Sequence, residues 1–394
     1  MGEIGKIKTF CEDKETNEIL KICNEFLQIP SVISHESCFL KYLNLKIKKL
    51  GFKTKLRKSY LAIEPKKETK TLLSAHVDRH GCVKDKKGRI QFASFYLKKK
   101  YKILSPRRER AKKELELARL IQTKLKGIDV FLGKENLKFK SDDLELNFER
   151  KGSRNFYEKT GQNYSKCDFF SYNIKTGKKI KKYRALRYDV EWKQSRVWFD
   201  LDTKPEKNEK VFMLESEIMC QDNKRFFAQI DNVLSVSVLF YMLKKIGPEN
   251  FKSNVLFTTQ EEIGRSYNSF LEYSKLYPRK RFELVVLDTT PYDKFPLEES
   301  FLVLRKGDER GKFNLKITRR LKNIIKNNNI KFRFKQQNIG KTELGAIITN
   351  TRKKIVGTTL QIPTTNYHTA YETTRLKDLE NFKKVVEEIC TNSI

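Results

Sequence analysis

The sequence predicts an α/β protein, a mixed β-sheet flanked by helices, with a small β-rich domain inserted into it. Three observations predict this. Segments of helical and strand periodicity alternate up to about residue 84 and again from Phe226 onward. Between them the pattern changes to short alternating segments separated by turn residues. Acidic residues and histidines stand where the strands of the flanking parts end, the rim at which open α/β sheets gather ligands. A chain of 394 residues suits two domains, or one with a large insertion. The expected division is 1–84 and 222–394 for the two parts of one catalytic α/β domain, and 85–221 for the inserted domain with its basic helix.

In chain order, Ile19, Leu20, Cys23, Phe26 and Leu27 lie at helical spacing, and Pro30 stops that helix. Phe39, Leu40, Leu43, Ile47 and Leu50 make a second amphipathic helix closed by Gly51. Residues 52–64 alternate loosely as strands, and residues 71–75 form a short apolar strand that runs into His76 and Asp78. Residues 84–89 are a charged turn. Pro106-Arg107-Arg108 opens a strongly basic helix to Gly127, with Ala111, Leu115, Ala118, Ile121 and Leu125 as its apolar stripe. Short strands are expected at residues 128–132, 144–148, 169–174 and 197–201. Past residue 226, a helix carries Val236, Phe240 and Leu243 and ends at Gly247-Pro248. A strand at 255–259, a helix around 270–276, a strand at 282–287 with Asp288 after it, a helix at 315–327 and a strand at 330–334 follow. Residues 355–362 are extended, residues 363–372 form a loop carrying His368, and Leu379, Phe382, Val385, Val386 and Ile389 mark the last helix.

No apolar run approaches the length of a membrane span, so no membrane association is expected. Residues 1–21 carry scattered charges without an apolar stretch, so no signal peptide is expected. The seven cysteines are scattered and never spaced as Cys-x-x-Cys, which fits reduced thiols in a cytoplasmic protein and argues against a zinc ribbon. The net charge of +34 admits a nucleic-acid partner. Lysine is spread along the whole chain, however, and runs such as Asn327-Asn328-Asn329 fit a coding bias equally, so a nucleic-acid partner is the less favoured reading.

The chemistry concentrates around Glu261-Glu262, which follow the strand at 255–259. Two adjacent negative charges there repel each other. A metal ion that takes one carboxylate and leaves the other as a base would offset that cost; a solvated pair at a loop edge is the plainer reading. His76, Asp231, Asp288 and His368 stand at other strand ends or helix starts. Two imidazoles with several carboxylates suit zinc, cobalt or manganese. Singly, each has an ordinary explanation: a hydrogen-bonded His, Asp231 as a helix cap, Asp288 as a turn residue.

Five segments resemble metallopeptidase family forty-two, the dinuclear aminopeptidases that include glutamyl aminopeptidases, the tetrahedral (TET) peptidases and the cellulase M proteins. They are Ser74-Ala75-His76-Val77-Asp78, Gln229-Ile230-Asp231-Asn232, residues 257–264, Leu287-Asp288-Thr289, and residues 362–372 with His368. They fall in the family's order over roughly residues 16–84 and 222–390. The resemblance implies a zinc-peptidase-like catalytic domain with a β-rich, dimer-forming insertion. It implies two divalent metal ions per subunit, zinc or cobalt, with Asp231 bridging them, His76 and Asp288 completing one site, and Glu262 and His368 the other. It makes Glu261 the general base and Asp78 the carboxylate that orients His76. The implied activity is hydrolysis of the N-terminal peptide bond of peptides by a homo-oligomer, dimer-based and up to a tetrahedral dodecamer. The alternative is a member with weak or lost catalysis that binds RNA or an acidic partner through its basic insertion. Arg79 and His80 depart from the family pattern, which has an acid and an apolar residue there. Lys341-Thr342-Glu343 replaces Gly-Thr-Asp. Both departures are expected near the substrate rim.

Overall fold

The computed structural model describes residues 10–65, 68–101, 168–191, 196–221, 223–292, 299–335, 342–351, 355–365 and 372–392. Helix α1 (Lys14–Leu27) starts where the Asp13 carboxylate accepts from the Thr16 amide at 2.7 Å, and it buries the apolar stripe read from the sequence. Helix α2 (Ser37–Lys49) ends before Gly51, whose φ of +87° only glycine adopts without cost. Strands β1 (Thr54–Leu56), β2 (Tyr60–Ile63), β3 (Thr71–His76), β4 (Gly81–Lys84) and β5 (Ile90–Phe92) follow, then helix α3 (Ala93–Lys100). Next come β6 (Asp168–Tyr172), β7 (Lys179–Glu191), β8 (Arg196–Leu201), β9 (Val211–Leu214), β10 (Met219–Gln221) and β11 (Arg225–Ala228). The second half contains α4 (Val233–Asn250), β12 (Asn254–Thr258), α5 (Tyr267–Lys275), β13 (Phe282–Pro291), β14 (Leu302–Arg305) and the small pair β15 (Gly307–Asp308) and β16 (Gly311–Lys312). Helix α6 (Leu315–Asn327), β17 (Phe332–Lys335), α7 (Glu343–Asn350), β18 (Ile355–Thr364), β19 (Glu372–Arg375) and α8 (Leu376–Asn392) complete it.

Eight strands form one mixed sheet in the order β1-β2-β12-β3-β13-β18-β14-β17. Its centre, β12-β3-β13-β18, is parallel, and those strands are buried almost throughout. The period of two divides their side chains. Leu72, Leu256, Leu284 and Val286 face Tyr60, Phe270 and Tyr273. Leu73, Ala75, Val255, Phe257, Val285 and Leu287 pack with the apolar stripes of α1, α2, α4 and α8. At about 1.5–3 kcal/mol per buried side chain, these two layers dominate the stability of the fold.

Strands β4, β5, β8, β7, β6 and β9 close into a barrel, which leaves no open edge. Val83, Phe170, Tyr172, Val211 and Met213 belong to an apolar cluster that also takes in Val32 and Ile33 from the α1–α2 connection and Ile263. The barrel is therefore packed against the turn that carries Glu261 and Glu262.

Three details differ from the sequence reading. Asp288 lies inside β13, not after a strand. Pro363 and Thr364 extend β18, and Glu372 opens β19, so both ends of the loop expected at 363–372 are strand. Strand β7 is rich in Lys and Arg; over residues 179–184 only Tyr183 is buried and the rest are exposed, so no apolar alternation marks its first half. The basic helix at 106–127 and the strands at 128–132 and 144–148 lie outside the described residues.

Candidate metal centre

The site is built by strand register. Thr258 of β12 pairs with His76 at the end of β3. Val286 of β13 pairs with Ser74, so Asp288, two residues on, reaches the level of His76. His76 Nε2 stands 3.6 Å from Asp288 Oδ1. Asp231 arrives from the connection between β11 and α4, and its Oδ1 is 3.3 Å from the same nitrogen. That connection is tied down on both sides: the Asp231 amide donates to Glu372 Oε2 at 2.7 Å, and Asn232 Nδ2 donates to the Leu287 carbonyl at 2.7 Å. Asn232, not Asp231, occupies the cap position of α4, without a side-chain capping bond.

One donor atom each from His76, Asp231 and Asp288 lies within 4.8 Å of the others, and all three residues are buried. Donors bound at ~2.0–2.2 Å in a tetrahedral arrangement sit roughly 3.3–3.6 Å apart, so the His76 separations fit a common ion. The electrostatics agree. Burial by itself would lower the His76 pKa, but hydrogen bonding to Asp231, Asp288 and Asp78 carries it well above its ordinary value. Burial pushes the Asp288 carboxyl up, helped by the Asp231 charge. The pocket thus demands positive charge, which a divalent cation supplies in place of a proton.

Beside it runs the Glu261–Ile263 single 3-10 turn, entered by Gln260 at φ +61° and left by Gly264 at φ +72°. The Asp78 carboxylate accepts from the Glu261 amide at 3.0 Å and the Glu262 amide at 3.1 Å. Glu36 Oε1 accepts from the Gln260 amide at 3.2 Å and the Ser34 amide at 2.8 Å. Two buried carboxylates therefore grip three successive amides. Burial and the Asp78 charge push the Glu36 carboxyl up to about 8. His76 Nδ1 is 3.2 Å from the Asp78 carbonyl oxygen and 3.5 Å from its carboxylate. The Glu261 carboxyl is raised well above its ordinary value, first by burial and then by Asp288, Glu262 and Glu343, against the lowering influence of His76. Glu262 Oε2 lies 2.8 Å from His80 Nε2.

Glu343, at the start of α7, is buried beneath the site: Thr258 Oγ1 donates to it at 2.7 Å and Ser74 Oγ at 3.1 Å. Arg79 is not at a substrate rim as expected. It is fully buried and turned the other way, donating to Ser31 Oγ at 2.8 Å and to the carbonyls of Leu27 at 3.2 Å and Ile29 at 2.7 Å, with Met213 Sδ at 2.8 Å. Of the residues expected at the site, His76, Asp231 and Asp288 converge, Asp78 holds the Glu261–Glu262 turn, and His368 lies outside the described residues. Glu36 was not singled out from the sequence. Its signal was weak: an acid just before an apolar helix reads first as a helix-start residue.

A family model described as M42 glutamyl aminopeptidase matches residues 178–385. No curated protein matches the chain. Among solved structures, the chain is similar to a TET aminopeptidase from a marine sediment archaeon of the Thaumarchaeota, at 13% identity and a TM-score of 0.64 over 96% of this chain and 97% of that one. It is similar to an aminopeptidase from the archaeon Desulfurococcus kamchatkensis, at 12% identity and a TM-score of 0.63 over 95% of each chain. A third is the TET1 peptidase of Pyrococcus horikoshii, which can assemble into a tetrahedron or a large octahedral shell, at 15% identity and a TM-score of 0.61 over 95% of this chain and 99% of that one. At such identities the likeness is one of fold.

Proposed function

The chain belongs to the M42 peptidase family, and on that premise we propose that it is a metal-dependent aminopeptidase that hydrolyses the N-terminal peptide bond of peptides. The observation that carries the reading is the convergence of His76, Asp231 and Asp288 on one buried point. His76, Asp231 and Asp288 would hold one cation, and Asp231 with Glu262 and His368 a second. Two divalent ions, zinc or cobalt, would supply Lewis acidity and a water of lowered pKa. The protein's own residues do the rest. Asp78 fixes the backbone on which Glu261 is carried. Glu261 accepts the proton of the attacking water and returns one to the leaving amine. Its burial suits that work, because a carboxyl with a raised pKa is a stronger base once ionised. The barrel stands as a domain inserted into the catalytic one. Partners on this reading are peptides and further copies of the chain, the latter to be read from its molecular mass in solution.

Glu261→Gln tests the mechanism. The protein should still bind its metals while turnover of aminoacyl chromogenic substrates falls by ~10²–10⁴-fold. Normal turnover by this variant would refute the role given to Glu261.

A further inference from the structure

The function just described gives Glu36 no part. It is buried and stands at the start of α2, yet its side chain makes no capping bond to that helix. Its Oε1 instead accepts from two amides, Ser34 at 2.8 Å and Gln260 at 3.2 Å, the second 224 residues away in the chain. Both donors lie in the left-handed region, Ser34 at φ +66° and Gln260 at φ +61°. Residues with a side chain rarely adopt that conformation, and it persists where surrounding contacts hold it. One oxygen therefore ties together two left-handed residues, one on either side of the contact. The α1–α2 connection is itself anchored: the Ile33 amide donates to the Arg79 carbonyl at 3.2 Å, and the Arg79 amide to the Ser31 carbonyl at 2.9 Å. Val32 and Ile33 belong to the apolar cluster that includes Ile263. Glu36 is thus fixed on its own side and reaches the residue from which Glu261 departs.

We propose that Glu36 is a positioning residue for Glu261. By holding the Gln260 amide it keeps Gln260 left-handed, and the backbone direction set there aims the Glu261 side chain. The inference rests on the reading of Glu261 as the general base. Asp78 takes the amides of Glu261 and Glu262 and so fixes the turn itself, whereas Glu36 fixes the angle at which the chain enters it. Without that acceptor Gln260 relaxes toward a commoner conformation and carries Glu261 with it. A displacement of a catalytic group by ~1 Å costs ~10²-fold in rate.

The test is turnover of aminoacyl chromogenic substrates at saturating cobalt, with folding checked by circular dichroism. Glu36→Met removes the acceptor and keeps the bulk, and kcat should fall by ~10²-fold with KM little changed. Glu36→Gln keeps a carbonyl oxygen at Oε1 and should retain most of the rate. The deciding variant joins Glu36→Met to Gln260→Gly. Glycine enters the left-handed region without a steric cost, so this pair should recover most of the lost kcat. Glu36→Met joined to Ser34→Gly, which relieves the other left-handed residue, should not. Should Glu36→Met not fold, Glu36→Asp, one methylene too short to span the contact, carries the same comparison. A folded Glu36→Met or Glu36→Asp variant with wild-type kcat overturns the inference while Glu261 keeps its role. So does a loss that Gln260→Gly fails to recover, or that Ser34→Gly recovers equally well. Wild-type protein without turnover, or a Glu261→Gln variant with normal turnover, overturns the reading of Glu261 and the inference with it.

Discussion

Asp78→Asn changes one atom at the joint between the metal centre and the Glu261–Glu262 turn. In the native protein the carboxylate accepts from two amides, at 3.0 Å and 3.1 Å. Hydrogen bonds to a charged partner contribute about 1.5–3 kcal/mol each. Asparagine keeps one acceptor oxygen and sets an NH₂ group against the other amide. One of the two bonds is lost outright and the survivor loses its charge assistance, so a destabilisation of about 2–4 kcal/mol is expected. The functional effect is larger than that of an ordinary core change, because the amide set adrift belongs to Glu261 or its neighbour. A displacement of a catalytic group by ~1 Å costs ~10²-fold. Urea unfolding reads the first quantity, and kcat/KM on an aminoacyl chromogenic substrate with saturating cobalt reads the second. The loss should fall on kcat more than on KM, since the substrate's side-chain contacts are untouched. A variant with an unchanged urea midpoint and unchanged kcat/KM would show that Asp78 does not hold the turn. A lowered midpoint with unchanged kcat would confine it to stability.

Two further outcomes follow from groups away from the metal centre. Arg79→Met keeps volume but strips donors from the Leu27 and Ile29 carbonyls and from Ser31, and it should lower stability by about 3 kcal/mol or more in urea unfolding; a midpoint like that of the wild type would contradict the bridging role. For Glu15, burial opposes ionisation, but Lys245 at 2.6 Å and Lys383 at 2.8 Å outweigh it and hold the carboxyl down at about 2. Its folded pKa lies below its unfolded one, so the stabilisation is present above about pH 4.5 and is lost as pH falls toward about 2. The side chain is 35% exposed, so solvent screening reduces the effect to about 1 kcal/mol. Glu15→Gln should therefore be less stable near neutral pH, with the gap narrowing on acidification; a gap that stays constant between about pH 5 and about pH 3 would refute the linkage.

Much of the arrangement was legible in the sequence because it follows local rules. The stripes of α1, α2, α6 and α8 announce themselves by period, and His76, Asp231, Glu261, Glu262 and Asp288 stand at the ends of apolar runs or next to turns. What was not legible depends on partners distant in the chain. Arg79 beside Asp78 reads as a surface cation; its inward partners, Leu27, Ile29 and Met213, lie far from it in the chain. Glu36 gains its task from Gln260, which no local pattern could pair with it. Strand β14, three buried apolar residues followed by a buried arginine, was too short to be distinguished from a loop. The first half of the barrel strand β7 shows solvent most of its side chains and carries no apolar alternation.

The position of β3 has a consequence for biosynthesis. Its two neighbours in the sheet, β12 and β13, both come after the barrel in the chain. While the chain is being made from its N-terminus, β1 and β2 can pair as a hairpin, but β3 must wait with both edges open until residues beyond 254 have been synthesised. Its sequence, Thr-Leu-Leu-Ser-Ala-His, is apolar enough to pair with another nascent chain in that interval. The ligands of the proposed metal centre come together only after the same wait, so an ion held by all three marks a chain whose central pairing is complete, and binding then draws the equilibrium toward that state.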